Sequence, residues 1–137
     1  MRSKEHLFHL IKAMSKSEKR YFSLDAQKSG REAARYLEIF QSINKMEDYD
    51  EQKLQKKFPK NLSSDKGYLY EAILRSMRDY QSAKSKSVQV KEKMIDSRYL
   101  YERGLYEQSE ERLREARNLV VDLEDQFSLL EINKQQQ

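Results

Sequence analysis

The chain has 137 residues, a length that fits one domain able to bury a core without disulfides or structural metals. Charged residues are 36% and hydrophobic residues 37%, so the core is lean, and no run approaches the roughly 18 apolar residues that a membrane span requires. With no cysteine there is no disulfide framework and no thiolate metal site, and the opening MRSKEHLFHLIKAMSKSEKR is too interrupted by His and Lys for a secretory signal, so a cytoplasmic location is expected.

One proline and three glycines leave too little punctuation for a β-rich fold, and the chain is read as all-α. Residues 3–14 place Leu7, Leu10, Ile11 and Met14 on one helical stripe. SKSE at 15–18 then offers Ser15 and Glu18 as a capping box, opening a helix that carries Tyr21, Phe22 and Leu24. Gly30 is expected to end it. REAARYLEIFQSI stripes Ala33, Tyr36, Leu37, Phe40 and Ile43 at spacings of three and four. Beyond the polar NKMEDYD, Asp50 caps a short helix bearing Leu54 and Phe58, and Pro59 closes it. Ser63 or Ser64 is expected to cap the next helix, with an apolar face from Leu69 through Ile73 and Met77 to Tyr80. SAKSKSVQ at 82–89 is small, polar and basic, with no apolar anchor until Val88; it is read as a linker or loop between residues 1–81 and 90–137, the alternative being the exposed middle of one long helix. A helix to about Arg103, a corner at Gly104 and a helix from Tyr106 to about Val121 follow.

That corner carries a resemblance. In RGLYEQSEERLREARNL, Gly104, Tyr106, Ser109, Leu113 and Ala116 fill the turn, aromatic, small, large apolar and small positions of a tetratricopeptide repeat, a helix-turn-helix unit of 34 residues. A unit beginning near Val90 puts the next near Glu124, whose first large apolar positions fall on Phe127 and Leu130. The first helix departs from the pattern at Lys93 and Asp96, and Val121 stands where Pro is usual. The resemblance covers about residues 90–134 and implies antiparallel hairpins stacked as a short TPR-like α-solenoid of about seven to eight helices. Stacking normally needs about three repeats. Either the helices before residue 82 are divergent pairs that cap the stack, or the chain is the front piece of a longer protein. SKSEKRYF and KGYLYEAILRSMRDY also resemble leading segments of uncharacterised bacterial repeat proteins, a likeness that carries no activity.

Chemistry-bearing patterns are sparse. His6 and His9, near Glu5, lack the further ligands of a metal site, and no phosphate loop or nucleophile elbow is present. Glu110, Glu111 and Glu115 lie among arginines as ordinary helix charges. No enzyme, cofactor or metal is expected.

The expected role is a non-catalytic scaffold for protein–protein interaction or assembly. Its candidate groove is formed by Lys91, Arg98, Tyr101 and Glu102, the inner face that such a repeat offers to peptides. Phe127 and Leu130 are a candidate end for self-association into a homo-oligomer. The alternative is a basic helical module that binds nucleic acid through residues 1–90. That segment holds 19 Lys and Arg against 12 Asp and Glu, net +7, whereas residues 91–137 hold 8 against 11, net −3. Lys19, Arg20, Lys56 and Lys57 would then act beside the aromatic rings, although no recognition motif accompanies them.

Overall fold

The computed structural model describes residues 5–28 and 30–135; the side chains of residues 31, 32 and 127–135 also lie outside the described set. Among the described residues the chain is entirely helical outside its turns, with α1 (His6–Ala13), α2 (Lys16–Gln27), α3 (Arg31–Asn44), α4 (Glu51–Lys57), α5 (Leu62–Glu102) and α6 (Tyr106–Gln135). It divides into two compact units, residues 1–78 and 79–137.

In the first unit local chemistry sets the helix ends. Ser15 accepts from the Glu18 amide at 3.1 Å while Glu18 accepts from the Ser15 amide at 2.8 Å, so the expected capping box is formed. Asp50 caps α4 by accepting from the Lys53 amide at 3.0 Å, and Phe58 is held non-helical before Pro59. Two ends differ from expectation. Gly30 is the residue that opens α3, with φ 83° and ψ −152°, a conformation essentially reserved for glycine, whereas α2 already stops at Gln27. The fifth helix starts at Leu62, ahead of Ser63 and Ser64. Its first turn opens from Asn61 in the left-handed region (φ 59°), whose carbonyl accepts from the Asp65 amide at 2.9 Å.

Helix α3 packs against α1, α2 and α4, and this central place explains its wide apolar face. The core joins Leu7, Phe8 and Ile11 to Phe22, to Ile39, Phe40 and Ile43, to Leu54 and Phe58, and to Leu69 and Ile73 at the start of α5. Ile39 is completely buried although it lies off the stripe that the spacing picks out. Arg35 pins α3 to the start of α5 by donating to Asp65 at 2.6 Å and to the Lys60 carbonyl. Lys12 and Lys19 close the end of α3 at Asn44, donating to its carbonyl at 2.8 Å and its side-chain oxygen at 2.6 Å, where a cation also complements the helix dipole.

The expected linker at 82–89 is helical and lies within α5. Its Ala, Lys and Gln residues are good helix formers, no Gly or Pro interrupts them, and Ala83 is 1% exposed, so the segment does have an anchor. Likewise α6 continues through Val121 and Glu124, where a second repeat would begin after a turn, because VDLEDQ holds no residue that stops a helix. These two continuities account for six helices where about seven to eight are expected.

Candidate functional site

The second unit contains an antiparallel hairpin of α5 and α6, and its corner is built from the backbone upward. The Leu105 amide reaches back to the Leu100 carbonyl at 2.9 Å and the Gly104 amide to the Tyr101 carbonyl at 3.0 Å, the paired bonds of a Schellman stop. That stop requires a left-handed residue, and Gly104 supplies it with φ 78°. Tyr106 folds back over the corner, its ring 5.0 Å from that of Tyr101 in an edge-on contact.

Small polar side chains close the seam. The Ser97 and Ser109 hydroxyls lie 2.8 Å apart; Ser109 donates to the Ser97 carbonyl at 2.8 Å, and the Ser97 hydroxyl is 3.0 Å from the Ser109 carbonyl. Further along, Lys93 donates to Glu115 at 2.7 Å, and the Gln126 side-chain Nε2 donates to the Asp79 carbonyl at 3.2 Å. These rungs hold one antiparallel register from Ser97 to Asp79, about 27 Å along α5 at about 1.5 Å per residue. The hydrogen bond from Lys93, supported by Arg112, holds the Glu115 carboxyl below its ordinary value. Ser97, Ser109 and Ala116 are buried, so the helices meet through side chains short enough to allow close approach.

Large apolar side chains of this unit point elsewhere. A groove of about 640 Å³ on one flank is lined by Met94, Ile95, Arg98, Tyr101 and Glu102 of α5 and by Leu113 of α6, with the serine pair also contributing. Met94 and Tyr101 are seven apart on α5, and Tyr106, Leu113 and Val120 keep the same spacing on α6, so each helix brings a stripe to this flank. Ile95 is 69% exposed, and Met94, Tyr101, Tyr106 and Val120 are also exposed. The opposite flank is polar. Its smaller hollow of about 250 Å³ is lined by Asp96, Tyr99, Leu100, Gln108, Glu111 and Arg112.

Of the expected groove residues, Arg98, Tyr101 and Glu102 come together on the apolar flank, whereas Lys91 is exposed and does not line the groove. Gly104, Tyr106, Ser109, Leu113 and Ala116 all belong to the hairpin and its corner. The side chains of Phe127 and Leu130 lie outside the described residues. Met94 and Ile95 are the groove residues that sequence reasoning missed; the available signal was a pair of adjacent apolar residues in a charged stretch, one turn before Arg98.

Elsewhere, His6 and His9 are exposed, and among the described residues no group of three or more potential ligands could hold a metal ion. No described helix is long and apolar enough to cross a membrane. Lys19 is engaged at Asn44 and Lys57 donates to Ser42 at 3.1 Å, while Arg20 and Lys56 are exposed. Burial, reinforced by the hydrogen bond to Glu51, pushes the Tyr49 hydroxyl up from its ordinary value, so it stays a donor to Glu51 while accepting from Lys66 at 2.8 Å. No family model matches the chain, and no curated protein or solved structure matches it.

Proposed function

We propose that the chain is a non-catalytic scaffold that binds another polypeptide through the apolar flank of the α5–α6 hairpin. The observation that supports this reading most is the inverted placement of side chains in the second unit, with Ser97, Ser109 and Ala116 buried while Met94, Ile95 and Tyr101 face solvent. Fully burying a side chain of that size stabilises by about 1.5–3 kcal/mol, so a partner that covers the groove gains substantially from few contacts. In the TPR-like form of this proposal the hairpin is a terminal unit of a stacked solenoid, because interior repeats need two apolar flanks and an end repeat keeps a polar one.

Site-specific photocrosslinking in cells tests the reading. A photoreactive residue at position 95 is expected to yield protein adducts, and one at position 111 on the polar flank is not. Equal labelling from both flanks, or none from position 95, overturns the proposal. The nucleic-acid alternative draws support from the first unit's charge, 17 Lys and Arg against 11 Asp and Glu. It requires affinity for DNA or RNA that falls steeply with salt, and absence of binding at low salt removes it.

A further inference from the structure

We infer that the occupant of the apolar flank is a second copy of the same chain, paired about a twofold axis that crosses this flank at the height of residue 100 along α5; this rests on the protein-binding reading above. The warrant is a pair of charges that the single chain uses poorly. Arg98 and Glu102 border the groove, and their side chains are 85% and 64% exposed with a separation of 3.6 Å. Within a helix an acid four residues before a base is the favourable order, and here the base comes first. Glu102 is moreover the last residue of α5, where the helix dipole disfavours a negative charge. Both residues therefore gain from a partner outside their own helix.

A second α5 laid antiparallel across the first satisfies them together. Residues whose numbers add to 200 then lie at the same height, so Arg98 of each copy meets Glu102 of the other. Two equivalent ion pairs follow from one contact, as an isologous interface requires. The same crossing carries Met94 and Ile95 of each copy toward the other copy's Tyr101–Tyr106 ring pair, which covers the exposed apolar side chains of both. Because an isologous contact uses the same flank of both copies and leaves no half of it free, the assembly closes at two copies rather than growing.

Sedimentation equilibrium of the full chain over a wide concentration range is the test. Wild type is expected to approach a dimer, and Ile95→Glu to remain a monomer. Arg98→Glu and Glu102→Arg each place like charges across the axis and should weaken self-association by about tenfold or more. Mixing these two variants in equal amounts recovers dimer as a heterodimer, since each charge then faces its opposite, and the double variant Arg98→Glu/Glu102→Arg recovers it alone. All three positions are exposed, and circular dichroism checks that each of the four variants folds. A strictly monomeric wild type, charge variants that associate like wild type, or a mixture that gains nothing overturns the inference. A monomer whose position 95 still crosslinks a different polypeptide overturns self-pairing and leaves the scaffold reading standing; a monomer that crosslinks nothing removes both.

Discussion

Ile11, Ile39, Ile43, Leu54, Leu69 and Ile73 are all but sealed from solvent in the first unit, whereas among the described residues of the second the buried side chains are Ala83, Ser97, Ser109 and Ala116. Both units consist of helices and both obey the helical period. What separates them is the size of the residue at each contact. Where short α1, α2 and α4 surround α3, large side chains fill the space between several axes. Where two long helices run side by side, small residues draw them together and the large ones are displaced to the flanks. A hairpin of this kind satisfies its backbone and its seam internally but leaves apolar side chains exposed on one flank.

The contrast breaks first in the core. Ile39→Ala, at a completely buried position on the central helix, is expected to cost about 2–5 kcal/mol in denaturant unfolding of the full chain. The second unit has the opposite sensitivity. Ala116→Leu adds volume to a closed seam and should cost about 1–3 kcal/mol, although the same exchange would add apolar area at an exposed site. If Ala116→Leu stabilises the chain, the seam is looser than the Ser97–Ser109 pair indicates.

Two of the three glycines, the pair with positive φ, sharpen the comparison on a smaller scale. A methyl group at either Gly30 or Gly104 meets nothing within 4 Å, so any cost is conformational. Gly104 stands in the left-handed corner of a Schellman stop, which asparagine tolerates; Gly30 combines φ 83° with an extended ψ, which it does not. Gly30→Asn should therefore cost about 1–3 kcal/mol in thermal unfolding. Gly104→Asn should cost less than about 1 kcal/mol. Equal losses at the two sites would contradict this distinction.

Much of this division is readable from residue types. Ser15 with Glu18, Asp50, Pro59 and Gly104 each mark an end through a local hydrogen-bonding or torsional requirement, and such requirements survive in any tertiary setting. Ile39 is not readable from the sequence, because a single stripe describes a helix with one neighbouring surface and α3 is packed on several sides. The stretch at 82–89 misleads for a related reason: its polarity suggests a loop, yet lysine and alanine favour helix and a single buried residue, Ala83, is enough to anchor it. At Val121–Glu124 the repeat pattern suggests a boundary that the local sequence does nothing to enforce. The apolar flank was partly readable, since Arg98, Tyr101 and Glu102 share a face by spacing alone. Its centre at Met94 and Ile95 depends on Ser97 and Ser109 taking the inward positions, which follows from close approach of the two helices rather than from periodicity.

The smallest expected effect concerns pH and again separates the units. Glu115 is held below the ordinary carboxylate value of 4.5 by the hydrogen bond from Lys93 and by Arg112. Because the folded value is the lower one, the unfolded chain binds its proton first as the solution is acidified. The contribution of this group is thus complete above 4.5 and is lost as pH falls through the folded value. Glu115→Gln should accordingly narrow the loss of hairpin stability on acidification while leaving the neutral-pH melting point nearly unchanged, as expected for a solvent-facing pair. Amide hydrogen exchange at Ser97 and Ser109 reads the hairpin separately from the core. If exchange at those amides responds to acid equally in wild type and Glu115→Gln, the Lys93–Glu115 rung does not help to hold the seam.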